Sequence, residues 1–155
     1  MTLEQKIAQN LINSKRTLGI AESCTGGLLA NRLTNIPGSS NFLKLGLVAY
    51  SNEAKSKILK VPQDMLQKHG AVSIEVAIAM AQGARKILDT DFGVGITGIA
   101  GPGGGTIAKP VGLTYIAVST NIEVLCLECR FTGTRKSIKS QAATQALRTL
   151  HEFLI

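Results

Sequence analysis

Ile20-Ala21-Glu22-Ser23-Cys24-Thr25-Gly26-Gly27 decides how this chain is read. Thr17–Ala21 alternates apolar and small residues like a buried strand, and Gly26–Leu33 carries leucines at helical spacing. A strand therefore turns into a helix across Glu22–Gly27. Such a corner lifts one side chain clear of the backbone, and the helix start offers unpaired N–H groups that can hold a developing oxyanion. Ser23, Cys24 and Thr25 are all possible nucleophiles there. Helix capping is the competing role for Ser23 and Thr25, and a small buried residue the competing role for Cys24.

Outward from this corner the elements follow in order. Thr2–Ser14 predicts a helix, with Thr2 and Gln5 as a capping-box pair and Leu3, Ile7, Leu11 and Ile12 on one face. Pro37-Gly38-Ser39-Ser40 ends the second helix, and Leu43–Ser51 predicts a strand. Short helices over Glu53–Leu59 and from Pro62 to Gly70 precede a long one, capped by Ser73 and running to Leu88. Phe92–Thr97 is a third strand, and Val111–Ser119 and Glu123–Thr132 form a hairpin around Thr120–Ile122. A last helix starts near Thr134 and turns Ile138, Ala142, Leu147, Leu150 and Phe153 inward. The whole predicts one α/β domain over residues 1–155, a layered α/β/α arrangement around a mixed β-sheet.

The 155 residues suit one compact domain, and 45% apolar content with only 4% aromatics implies an aliphatic core. No membrane-length apolar run or signal-peptide pattern occurs, and three cysteines make no disulfide framework, so a cytoplasmic protein is expected. The formal charge of +7 favours an anionic partner. Nucleic acid is not expected, since the basic residues are scattered and lack interleaved aromatics.

Three segments rich in small and polar residues end strands: Glu22–Gly27, Tyr50–Lys55 and Thr97–Gly105. Ligands gather at the carboxyl ends of strands in layered α/β proteins, so these segments should meet at one sheet edge. A nucleophile needs a base. His69 sits at a predicted helix end and His151 near the chain end, so a Ser-His-Asp triad is poorly supported. Lys55 can replace histidine if burial lowers its pKa, and its place in a first helical turn after a strand should push it down further through the dipole. Tyr50 can hydrogen-bond the serine or the lysine, or be a partly buried core residue.

The loop Gly98–Gly105 lacks the endings of both the Walker and dinucleotide-binding patterns and reads as a surface loop, unless a ligand comes close to it. Cys126 and Cys129 fall on opposite faces of a strand, which argues against a metal or redox pair. Thr134-Arg135-Lys136 opens a helix and makes a fair phosphate site, with a solvated helix start as the alternative.

IAESCTGGLLANRLTNIPGSS, LVAYSNEAKSKIL, HGAVS, ITGIAGPGGGTIAKPVGLTYIAV and FTGTRKSIKSQAA together resemble the CinA C-terminal domain, the nicotinamide-nucleotide amidohydrolase (PncC-like) family. The likeness runs from about Thr2 to Leu154, and the chain looks like a stand-alone form of a domain that other relatives carry behind a second one. It implies deamidation of nicotinamide mononucleotide by a serine-lysine mechanism in pyridine nucleotide recycling, with a small nucleotide as partner and no cofactor or metal. Ser23 then matches the nucleophile, Lys55 the base and Tyr50 the tyrosine of the motif. Thr97 matches a hydroxyl position lining the site, beside Gly98 and Gly101, and Arg135 lies where a basic residue near the substrate phosphate is expected. Thr25, Gly26 and Gly27 would supply oxyanion N–H groups. A homo-oligomer is expected. The alternative reading is a non-catalytic nucleotide-binding or regulatory module.

Overall fold

The computed structural model describes all 155 residues, Met1–Ile155. Helix α1 (Leu3–Ser14) starts on the expected capping box: the Gln5 N–H donates to Thr2 Oγ1, and the Thr2 N–H to Gln5 Oε1. Ile7 and Leu11 are fully buried, whereas Ile12 is turned out. Strand β1 (Leu18–Glu22) is buried along its whole length. Helix α2 (Leu28–Thr34) begins later than Gly26, because Gly26 (φ +61°) and Gly27 (φ +97°) are both left-handed and cannot continue a right-handed helix. Strand β2 (Leu43–Val48) stops short of Ser51. Then come α3 (Asn52–Lys57), α4 (Gln63–His69) and α5 (Ile74–Ile87), the last capped by Ser73 as expected. Strand β3 (Phe92–Gly98), the hairpin β4 (Leu113–Ser119) and β5 (Val124–Arg130), and α6 (Arg135–Leu154) complete the chain.

The five strands form one mixed sheet in the order β2-β1-β3-β4-β5, with β1 parallel to β2 and β3 and the remaining pairs antiparallel. Central strands β1, β3 and β4 are covered on both faces, while edge strands β2 and β5 alternate or stay open. α1, α2 and α6 pack one face around Leu18, Ile20, Leu29, Phe42 and Leu147. α5 covers the other face with Val76, Ala77, Met80 and Ala81. Each fully buried aliphatic side chain contributes about 1.5–3 kcal/mol, so the core needs few aromatics. This is the layered α/β/α domain that the sequence predicts. α5 lies so close to β3 that a Cβ at Gly95 would sit 2.5 Å from the Ala77 carbonyl oxygen. No helix is long and apolar enough to cross a membrane.

Because β1 is parallel to both neighbours, with Glu22 opposite Val48 on one side and Ile96 on the other, three carboxyl ends finish level. Past the strands the ladder continues for one more bond each way: Ala49 N–H to Glu22 O and Ser23 N–H to Ile96 O. β1 leaves for α2 on one face, and β2 leaves for α3–α5 on the other. That divergence opens a crevice at the ends of β1, β2 and β3.

Candidate active site

The three strand-end segments do meet there, in a cleft of about 290 Å³ lined by Ser23, Tyr50, Lys55, Thr97, Gly101 and Arg135 among others. The Lys55 ammonium nitrogen lies 2.9 Å from Ser23 Oγ and donates to the Ala49 carbonyl at 2.8 Å. Lys55 is 2% exposed and Ser23 9%. No carboxylate forms an ion pair with Lys55. Burial therefore lowers its pKa, opposed only weakly by the nearby Cys24. Burial is the cause expected for a lysine base, but the helix dipole expected to add to it does not: α3 has a single turn and a half, and Lys55 falls in its last turn, where a cation is favoured. Lys57 pairs with Glu53 at the surface and Lys60 is exposed.

Cys24 belongs to the hydrophobic core, and burial pushes its thiol up to about 11. It packs into the core while also lining the cleft, and Ser23 is the corner residue whose hydroxyl lies within hydrogen-bond distance of Lys55. Neither histidine lines the cleft. Cys126 packs toward the α5 side of the sheet and Cys129 toward the α6 side, on opposite faces as their spacing requires.

Among N–H groups of the corner, Gly26 donates to Ser23 O and Leu28 to Thr25 O. Glu22 takes two more. Its carboxyl group, 1% exposed, accepts from Leu29 N–H at 2.9 Å and Ala30 N–H at 3.0 Å. Sequence reasoning missed this cap, because Gly27 at the formal cap position has no side chain and Glu22 reaches over from the strand. A lone carboxyl in an otherwise apolar buried strand was the available signal. The N–H groups of Cys24, Thr25 and Gly27 donate to no protein acceptor, which leaves them for a ligand. Gly26, expected among the donors, is occupied in closing the turn.

Tyr50 bonds neither Ser23 nor Lys55. It is 62% exposed at the cleft mouth, and its hydroxyl accepts from the Arg135 guanidinium at 3.0 Å. The other arm of Arg135 donates to Gly101 O at 2.7 Å, so this one side chain ties α6 to Tyr50 and to the glycine-rich loop. Thr97 lines the cleft, but its hydroxyl donates to Ala71 O at 2.8 Å and can only accept from a ligand. The loop after β3 divides in function. Gly98, Gly101, Gly103 and Gly104 wall the cleft, while residues further on are exposed surface. Lys109 anchors the far end to His69 O at 2.6 Å.

A family model described as the CinA C-terminal domain matches residues 1–154. A "CinA-like protein" of Acidobacterium capsulatum is 52% identical over 146 residues, which is 94% of this chain and 35% of that relative. The chain thus spans about a third of the length of the curated relatives it matches. Among solved structures, a competence/damage inducible protein from Agrobacterium tumefaciens superposes with a TM-score of 0.91 at 39% identity, covering 99% of this chain and 96% of that one. A competence-damaged protein (CinA) superfamily protein from Klebsiella pneumoniae gives 0.94 at 34% identity, covering 98% and 95%.

Proposed function

The chain belongs to the CinA C-terminal domain family, and from there we propose that it is an amidohydrolase converting nicotinamide mononucleotide to nicotinate mononucleotide and ammonia. The observation that carries this is the buried Lys55 nitrogen 2.9 Å from Ser23 Oγ, with no carboxylate to hold it charged. A neutral lysine is a base, and a serine beside it is a nucleophile.

The proposed steps start from the Ser23–Lys55 pair. Lys55 keeps one N–H on Ala49 O, which aims its lone pair at the Ser23 hydroxyl. The Ser23 proton passes to Lys55 as Oγ attacks the carboxamide carbon. Charge grows on the carboxamide oxygen, and the unpaired N–H group of Cys24, the residue beside Ser23 that also lines the cleft, is the donor that would stabilise it. On collapse the C–N bond breaks, and Lys55 returns its proton to the departing ammonia. Water, giving a proton to the again neutral Lys55, then attacks the ester carbon, and as the acyl C–Oγ bond breaks Lys55 returns that proton to Ser23 Oγ, releasing nicotinate mononucleotide and restoring the neutral pair. Arg135 acts by holding Tyr50 and Gly101 as walls of the cleft, and its remaining N–H groups are free to meet a substrate anion.

The test is ammonia release from nicotinamide mononucleotide, nicotinamide riboside and nicotinamide by the wild-type chain, Ser23→Ala and Lys55→Arg. Turnover by the wild type and by neither variant, much faster on the mononucleotide than on the riboside, is the expected result, since alanine offers no nucleophile and arginine is not deprotonated in proteins. Binding of the mononucleotide without ammonia release would favour a nucleotide-binding module instead.

A further inference from the structure

Glu22 stands where nucleophile and base are registered to the same strand. It ends β1, and Ser23 is the next residue. Its carbonyl accepts the Ala49 N–H at 2.8 Å, and the Ala49 carbonyl accepts from Lys55 Nζ at 2.8 Å. The base is thus held two hydrogen bonds from Glu22. The nucleophile sits in a looser segment. Ser23 N–H continues the ladder to Ile96 O, and the turn is then closed by Gly26 N–H to Ser23 O and Leu28 N–H to Thr25 O, each at 3.1 Å. Gly26 and Gly27 are both left-handed, where glycine has most freedom. The Glu22 carboxylate spans this segment. Oε1 takes the Leu29 N–H at 2.9 Å and Oε2 the Ala30 N–H at 3.0 Å, which ties the first residues of α2 back to the end of β1. Two features set this apart from an ordinary cap. Caps are usually Ser, Thr, Asp or Asn at the helix start, whereas this one comes from a strand seven and eight residues earlier. The carboxylate is also 1% exposed with no cation paired to it, although burying a charge is costly. An arrangement that opposes stability is expected where function requires it.

We infer that Glu22 is a positioning residue: its carboxylate clamps the Ser23–Gly27 turn against β1 and so holds Ser23 Oγ and the free Cys24 N–H in fixed relation to Lys55. This rests on the serine-lysine reading above. Attack geometry is sensitive, since a misplacement of about 1 Å can cost about 10²-fold, and an oxyanion donor works by being in place beforehand. Glu22 does not line the cleft and touches no substrate. Loosening the clamp should therefore lower kcat and leave KM where it is.

The experiment compares the full chain with Glu22→Gln and Glu22→Ala, each assayed well below its own Tm. Glutamine keeps the size of the side chain and one accepting oxygen, hence one of the two bonds to α2, and alanine keeps neither. On nicotinamide mononucleotide kcat should fall about tenfold or more in Glu22→Gln and further, toward about 10²-fold, in Glu22→Ala, with KM unchanged. Should alanine prevent folding, glutamine carries the comparison alone. Thr2→Ala removes the α1 cap and is the control for lost stability. It should lower Tm and keep kcat. Wild-type kcat in the Glu22 variants, a loss expressed wholly in KM, or an equal loss of kcat in Thr2→Ala overturns the assignment and leaves Glu22 a helix cap. A second readout needs no amide. With phenylmethanesulfonyl fluoride, Ser23 Oγ bonds to sulfur as fluoride leaves and the hydroxyl proton passes to Lys55. The rate of this labelling, followed by intact mass, should fall in the Glu22 variants in step with kcat. If the wild type releases no ammonia but is labelled at Ser23, the amidase reading fails, and the labelling rates still decide the clamp. If the wild type does neither, the serine-lysine pair and the clamp fall together.

Discussion

Replacing Lys55 by methionine separates catalysis from folding, because it keeps a stem of about the same length and shape as the lysine's four carbons and removes the amine. Lys55 is 2% exposed and spends its nitrogen on Ser23 Oγ and Ala49 O. Removing the base should lower turnover by about 10²–10⁴-fold or more. Stability carries two opposing contributions. The Ala49 carbonyl loses its partner, at about 1–3 kcal/mol. Against that, the wild type must keep an amine that burial disfavours in its charged form, and each pH unit by which its pKa is depressed is worth about 1.4 kcal/mol when the unfolded chain is protonated. The sign is fixed by linkage. Between the lowered folded pKa and the ordinary lysine value near ~10.4, the unfolded chain binds the extra proton, so wild-type stability rises with pH through that window. Below the folded pKa the penalty is fully present. Urea unfolding of both proteins from pH 6 to 10 therefore gives a difference, wild type minus Lys55→Met, that climbs with pH, while other titrating groups cancel. A flat difference, or a methionine variant that still releases ammonia, refutes a neutral buried lysine as the base.

The remaining predictions concern the same corner. Turnover by the wild type should rise with pH and level off below the ordinary lysine value near ~10.4, and a rate that starts to rise only at or above that value would contradict it. Cys24→Ala should retain turnover, and Cys24 should resist alkylation at pH 7.5 with its thiol near about 11, whereas rapid labelling coupled to inactivation would make it the nucleophile. Glu22→Ala should cost about 1.5–3 kcal/mol in urea unfolding, because it strands the Leu29 and Ala30 N–H groups, and a neutral outcome would mean α2 needs no cap. Arg135→Ala should depress kcat on the riboside and the mononucleotide alike if it works by holding Tyr50 and Gly101, and selectively on the mononucleotide if it also reads the phosphate.

Much of this architecture is legible without coordinates, and what is not has a physical pattern. The Thr2 and Ser73 caps and the corner at Glu22–Gly27 are local, set by residues within one turn of each other, and sequence spacing reports them directly. Convergence of three strand ends also follows, since parallel strands finish level. Contacts made by long side chains across the fold do not follow from spacing. Arg135 reaches Tyr50 over 85 residues, and nothing local at either position announces it. Tyr50 accordingly turned outward to Arg135 instead of inward to Lys55. Burial, the condition for a lowered Lys55 pKa, is likewise a tertiary quantity that spacing cannot establish, whereas the added dipole push fails because Lys55 falls in the last turn of its short helix. The alternating Gly93 and Gly95 clear one face of β3 for α5, a contact between distant elements that the expected strand did not include.

The central claim is that Ser23 carries the acyl group during turnover. The direct measurement is intact and peptide mass spectrometry of the wild-type chain, acid-quenched within the first turnovers on nicotinamide mononucleotide. The account predicts an ester on the peptide containing Ser23, with the mass of the mononucleotide less ammonia, and no adduct in Ser23→Ala. Ammonia release with the adduct on Cys24, or sustained release by Ser23→Ala, would contradict it.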